Sequence, residues 1–344
     1  MKRAVAILTL LSASTARAVT WDAGTFDDAV ARARASERLV LVDVFATWCG
    51  PCHEMDEQVY PRDEVTRALQ ASFVALRRDG EAGEGVELAR RYHVVGFPTL
   101  LVIDPKSGAE IDRLMGFVAP RELVDTLARF REGKGTLAEL EKKLAAAPND
   151  DALRLDVGTR HAMRGDERAP AELGAVIARD PDNRNKRAAT ALLTLGKYYW
   201  LRGRKDYARA ESTLRDLERK FPASEEADSV PYNLAIALHA TGRDAEARAV
   251  LDRWLAAAPR DGSRYNAYCW LAYKENFERA HAVEVAKQGL EVDPKNHGLW
   301  DTLAELYAAL GQKVEARDAE QRALAIKPKD SYYEAQWRRF GGKP

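Results

Sequence analysis

Cysteine is scarce in this chain, with three in 344 residues, and charge of either sign is not in excess, with 53 basic and 53 acidic side chains. Three cysteines are too few to knit a disulfide-framework fold or to build a four-cysteine zinc centre. The balanced charge supplies no global field for nucleic acid or for an anionic membrane, so neither is an expected partner. Long apolar runs are missing too. The stretch from Ala4 to Leu11 falls far short of the roughly 20 residues that span hydrocarbon, and no later segment is apolar enough to do so. What is present is 46% apolar residues, enough for real cores, over a length that suits about two domains.

The N-terminus has its own pattern. Met1-Lys2-Arg3 is basic, Ala4 to Leu11 is apolar, and Ala16-Arg17-Ala18 offers small residues at the spacing a signal peptidase reads. Residues 1–18 are expected to be a signal peptide cleaved after Ala18, giving a periplasmic or secreted protein with no membrane span once it is removed. In that setting Cys49 and Cys52 are close enough in sequence to pair. Cys269 remains, in the apolar helical stretch Tyr268-Cys269-Trp270-Leu271-Ala272, where a buried inert thiol is expected and an intermolecular disulfide is the alternative.

Downstream of the leader, β and α patterns alternate. A helix is expected over Thr25–Arg38, and a buried β-branched strand over Leu39–Phe45. A long helix follows from Cys49, then a strand over Ser72–Leu76, a helix over Gly85–Tyr92, strands over Thr99–Ile103 and Ile111–Met115, and a closing helix over Arg121–Phe130. Trp48-Cys49-Gly50-Pro51-Cys52 therefore sits between a buried strand and the start of a helix, where unpaired amides and the helix dipole favour a thiolate. Cys49 is the expected nucleophile and the more exposed sulfur; Cys52, one turn on, is the expected resolving thiol. Gly50 and Pro51 suit a first helical turn. Half of a zinc site is the competing reading of the pair, but no second Cys or His pair stands at ligand spacing. Asp43 is a lone carboxylate inside Leu39-Val40-Leu41-Val42-Asp43-Val44-Phe45; buried there it would cost several kcal/mol unless its proton is used, so it is the expected acceptor for the Cys52 proton. The alternative is a solvent-facing strand edge. In Gly96-Phe97-Pro98-Thr99 a proline opens a strand, a position open to a cis bond and to pairing with an extended peptide.

Together, the stretch Val42 to Cys52 and Gly96 to Thr99 closely resemble the thioredoxin superfamily, over roughly Thr20 to Gly133. The resemblance implies an α/β thioredoxin-like fold in which Cys49 and Cys52 are the redox pair, Trp48 the aromatic beside it, Asp43 the buried carboxylate and Pro98 the cis-proline facing the disulfide. Phe97, Thr99, Gly50 and Pro51 would border the substrate groove, and no cofactor is implied. His53 to Pro61 looks more like the thioredoxin-like domain of exported thiol:disulfide interchange proteins than like cytosolic thioredoxin. Where cytosolic members carry a lysine beside the aspartate, an ungapped match places Ala75, with Arg77 and Arg78 close by. His53 stands where many relatives have lysine; a surface residue is expected, with thiolate support as the alternative.

Past the linker-like Phe130-Arg131-Glu132-Gly133-Lys134-Gly135, prolines recur at 148, 181, 222, 259, 294 and 328, at intervals of 33, 41, 37, 35 and 34. That spacing, with Gly203, Gly242 and Gly311 at the expected turns, and Trp300, Leu303-Ala304, Tyr307, Gly311, Ala316, Ala323 and Pro328 in order, resembles tetratricopeptide repeats over about Thr136 to Phe340. The expected organisation is a signal peptide over 1–18, a thioredoxin-like domain over 19–133 and an all-α tetratricopeptide-repeat solenoid over 134–344. Tyr199, Tyr232, Tyr273 and Trp300 are expected to pack between helices, and Asn233 and Tyr265 are weak candidates for ligand contact. The resulting expectation is an exported disulfide reductase with disulfide-containing protein substrates, a membrane thiol-relay electron donor, and a protein or peptide partner on the repeats. A non-catalytic scaffold, or an oxidant or isomerase using the same cysteines, stands as the alternative.

Overall fold

The computed structural model describes residues 19–343, so the expected signal peptide and its cleavage site lie outside the described residues. By compactness the chain divides into two units, between Arg168 and Ala169.

The first unit is built on a four-stranded sheet in the order β2-β1-β3-β4, with β1 Leu39–Phe45, β2 Phe73–Asp79, β3 Thr99–Ile103 and β4 Glu110–Met115. β1 runs parallel to β2 and antiparallel to β3, and β4 is antiparallel to β3. β1 lies inside the sheet with both faces covered, which explains its apolar run, broken only by Asp43. On one face Leu41, Leu100 and Val102 meet Met55, Val59, Leu69, Leu123 and Leu127; on the other, Val40, Val42, Val44 and Leu101 meet Phe26, Ala29, Ala33 and Leu88. These contacts dock helices α1 Phe26–Ala35, α3 Asp63–Ser72, α4 Glu84–Arg91 and α5 Pro120–Arg131.

The single long helix expected from Cys49 is instead two pieces. α2 Gly50–Glu54 passes into a wide π turn over Met55–Val59, closed by Tyr60 N–H donating to the Met55 carbonyl at 2.9 Å, and α3 begins only at Asp63. Pro61 has no amide to continue the ladder, and although Tyr60 before it keeps helical angles (φ −65°, ψ −26°) the next helix starts only at Asp63. Past α5, two further helices, α6 Leu137–Ala146 and α7 Asp151–Ala162, pack with the sheet unit, whereas the proline phrase groups them with the repeats. Their anchor is Asp112 on β4. Fully buried, it accepts from Arg160 and Arg164 at 2.5 Å each and from the Leu137 amide at 2.7 Å.

The second unit is all helix. α8 Ala169–Arg179 and α9 Arg187–Leu193 lead into a wide helical stretch over Thr194–Arg204, then α10 Tyr207–Lys220, α11 Val230–Ala240, α12 Asp244–Ala257, α13 Gly262–Lys274, α14 Arg279–Val292, α15 His297–Ala309, α16 Lys313–Ile326 and α17 Ser331–Arg339. Gly242 and Gly311 close inter-helix turns at φ of 76° and 79°, the left-handed region that glycine adopts without strain. Gly203 does not: the wide helical stretch carries through it to Arg204, and Lys205 takes the left-handed position at φ 52°. Tyr232, Tyr273 and Trp300 pack against the repeat core, and Tyr199 is buried.

Candidate functional site

The cysteine pair sits where β1 hands over to α2. Cys49 is the N-cap of α2 with Pro51 in its first turn, and its carbonyl accepts from the amides of Cys52 at 2.9 Å and His53 at 3.1 Å. Cys49 and Cys52 form a disulfide with Cα atoms 5.2 Å apart. Cys49 Sγ also accepts the Cys52 amide at 3.2 Å, so a backbone donor is already aimed at the sulfur that would carry charge once the bond opens. The expected difference in exposure is not seen in this closed form. Cys49 is 2% exposed and Cys52 1%, because Ala46, Phe45, Trp48 and Phe97 pack around them.

Around the disulfide, Trp48 packs edge-on against Phe97 with ring centroids 6.0 Å apart, and its indole N–H donates to Glu81 at 2.6 Å. Gly50 has open space where a Cβ would stand. The Phe97–Pro98 bond is cis, and the Pro98 carbonyl accepts from Gly116 N–H at 2.8 Å. Thr99, almost fully buried, donates from its hydroxyl to the Gly96 carbonyl at 2.8 Å, which ties the loop that carries the proline. His53 Nε2 lies 2.8 Å from the Thr47 carbonyl, on the outer side of the loop.

Asp43 is buried at 1% exposure, so the strand-edge alternative is set aside. Its Oδ2 accepts from the Tyr60 hydroxyl at 2.9 Å and lies 3.2 Å from Arg77 Nε, an ion pair whose angle does not make a hydrogen bond; Oδ1 has no hydrogen-bond partner. Burial raises the carboxyl to about 6, against the opposing pull of Arg77 and Tyr60. In strand register Arg77 faces Asp43 and Ala75 faces Leu41, so the cation beside the carboxylate is Arg77 and not the residue at the ungapped position. Arg77 is shared: its other guanidinium nitrogens reach Asp56 at 2.7 and 2.8 Å, while its carbon lies 4.2 Å from the Phe45 ring centroid and 5.9 Å from those of Trp21 and Tyr60.

Three contributors escaped the sequence reading, and a fourth, Arg77, entered it only as a neighbour of the ungapped position at Ala75. Tyr60 follows Cys52, Met55 and Val59 on the buried side of the segment, a helical pattern that marks it as inward-facing. Arg77 carries the register of the second strand. Glu81 lies in a polar loop with no signal of its own. Gly80 permits the Phe97 ring to close in, since a Cβ there would stand 2.5 Å from it. Elsewhere, Cys269 is fully buried with its thiol donating to the Ala282 carbonyl, and burial pushes the thiol well up from its ordinary value. Asn233 and Tyr265 are buried and donate to the Ser229 and Pro259 carbonyls.

A sheet flanked by helices, a Cys-x-x-Cys disulfide at a helix start and a cis-proline loop define a thioredoxin-like domain, and the paired helices after it define tetratricopeptide repeats. Residues 26–131 match the thioredoxin-like domain family and residues 201–268 the tetratricopeptide repeat family, so the chain is a thioredoxin-like protein bearing tetratricopeptide repeats. It is 39% identical over 82 residues to thiol:disulfide interchange protein DsbD 2 of Pseudomonas aeruginosa, covering 23% of this chain and 14% of that protein. It is 33% identical over 103 residues to the chloroplastic thioredoxin Y2 of Arabidopsis thaliana, covering 30% of this chain and 56% of that one. A solution structure of a thioredoxin from Thermus thermophilus is 34% identical at a TM-score of 0.31, covering 35% of this chain and 92% of that chain. The chain thus spans well under two thirds of the curated relatives it matches.

Proposed function

We propose that this protein is an extracytoplasmic thiol:disulfide oxidoreductase that reduces disulfides in protein substrates, with its repeats holding the client or a partner protein. The observation that carries this reading is the Cys49–Cys52 disulfide with the Cys52 amide on Cys49 Sγ. In the reduced form, Cys49 thiolate attacks one sulfur of the substrate disulfide, forming a mixed disulfide and releasing the other sulfur as a thiolate that takes up a proton. Cys52 then loses its proton to Asp43 and attacks Cys49 Sγ; the second substrate sulfur leaves reduced, and the Cys49–Cys52 bond closes. Two electrons pass to the client. A second dithiol must return them, and a membrane-held thiol relay fits a protein with no described helix long and apolar enough to cross a membrane. The Trp48 and Phe97 rings pack against the cysteines, and the cis bond follows Phe97 directly, an arrangement that suits a groove for an extended segment. Reduction is favoured over oxidation by the Gly50-Pro51 spacer, which resembles that of reducing family members.

Turnover of a disulfide-bonded protein by the full chain, fed by a small dithiol, tests this. Wild type is expected to accelerate reduction, Cys49→Ser to abolish it, and Cys52→Ser to accumulate a mixed disulfide at Cys49. A double Cys49→Ser, Cys52→Ser protein with full activity would contradict it.

A further inference from the structure

Asp43 does not sit in a simple pocket; it stands inside a chain of four polar groups that runs from Tyr60 through Asp43 and Arg77 to Asp56. Oδ2 carries both of its contacts, the Tyr60 hydroxyl at 2.9 Å and Arg77 Nε at 3.2 Å, while Oδ1 is buried with no hydrogen-bond partner. Arg77 turns its remaining nitrogens to Asp56, which is 36% exposed, against 1% for Asp43. The guanidinium is therefore shared between a surface carboxylate and a buried one, within a frame of Trp21, Phe45 and Tyr60 rings. Tyr60 itself is delivered by the wide turn whose closing bond runs from its own amide to Met55.

We propose that Tyr60 and Arg77 are positioning residues that hold Asp43 through Oδ2 and leave Oδ1 as the atom that takes the Cys52 proton, with Asp56 setting how much of the Arg77 charge Asp43 feels. This rests on the reading of Asp43 as proton acceptor in disulfide reduction. The step balances as one proton moved from Cys52 Sγ to Asp43 Oδ1, one S–S bond formed between Cys52 and Cys49, and one broken between Cys49 and the client. Two contacts at Oδ2 restrain rotation of the carboxylate and so favour one placement of the open Oδ1. The groups facing Asp43 act with opposite signs. Tyr60 and Arg77 favour the carboxylate, whereas Asp56 disfavours it both by its own charge and by drawing on Arg77.

The test is a carboxyl-carbon NMR titration of Asp43 in the oxidised full chain, which needs no turnover, beside single-turnover release of a client thiol from the Cys49 mixed disulfide across pH. Tyr60→Phe should move the Asp43 titration to higher pH by about one unit or more, the worth of a buried hydrogen bond to a charged group. Asp56→Asn should move it to lower pH. Arg77→Gln should raise it, and Arg77→Lys should recover part of that shift. In each variant the pH midpoint of client release should follow the titration while the step itself persists. A purely structural role would lower stability without opposite shifts. Titrations that stay put, or that move the same way in Tyr60→Phe and Asp56→Asn, would overturn the proposal; because Asp56 is partly exposed, its variant is informative even if Tyr60→Phe does not fold. A wild type that titrates as described yet reduces nothing would instead refute the functional reading alone.

Discussion

Asp43 places a nearly water-free carboxyl in the middle of a sheet, and the cost is visible in its proton affinity. Raised to about 6 from an ordinary 3.8, it binds a proton more tightly in the fold than in the unfolded chain. Stability contributed by the proton is present below about pH 4 and is lost as pH rises through about 6. Asp43→Asn, which never ionises, should therefore gain stability relative to wild type across that window, on the order of 3 kcal/mol by pH 7. Denaturant midpoints at pH 4 and pH 7 check this; a difference between the two proteins that does not change with pH would contradict it. At this scale the sequence was informative where a residue type clashed with its surroundings. An aspartate among Leu41, Val42 and Val44, a cysteine pair at a strand end and a proline opening β3 all announced themselves. Arg77 and Tyr60 did not: helical spacing marks Tyr60 as inward-facing, but its contact with Asp43, like that of Arg77, depends on a widened turn and on strand register.

At the scale of elements, the segment after Cys49 is expected as one long helix, whereas it divides into α2 with its wide turn and α3 on either side of Pro61. The opposite error occurred at Gly203, where a glycine suggested a turn and packing of Tyr199 and Leu201 kept the helix going. A third element-level feature had no sequence signal. α15 and α16 bury Asp301, Glu305 and Glu320 beneath α17, which supplies Tyr332, Gln336 and Arg339. Both Glu320 oxygens lack a hydrogen-bond partner, and Arg339 is engaged with Glu305. Burial pushes the carboxyls of Asp301 and Glu320 upward; the charge of Glu305 adds to it at Asp301, and the charges of Asp301 and Glu305 add to it at Glu320. The sign follows as for Asp43: the protonated pair is favoured by the fold, so the repeat unit should lose stability as pH rises from the ordinary carboxylate range past neutral. Glu320→Gln should remove most of that slope and raise the melting temperature at pH 8 more than at pH 5. An unchanged pH slope would show that the three carboxyls are hydrated or otherwise neutralised.

For the whole molecule, the order of domains was legible because each has a period of its own: alternating short strands and helices first, then a proline phrase near 34 residues. The placement of α6 and α7 was not, since their attachment runs through the Asp112 contacts with Arg160 and Arg164, far apart in sequence. The candidate redox residues lie in the first unit, and Cys269 in the second is fully buried. The central claim is that Cys49 and Cys52 alone form a reversible two-electron couple in the intact chain. Equilibrating the folded protein across a series of glutathione ratios, then alkylating and weighing it, measures this directly. The account predicts that exactly two labels appear together, at Cys49 and Cys52, along a single reversible curve, with Cys269 labelled only after denaturation; labelling of Cys269 in the folded protein, or a pair that stays bonded at every ratio, would contradict it.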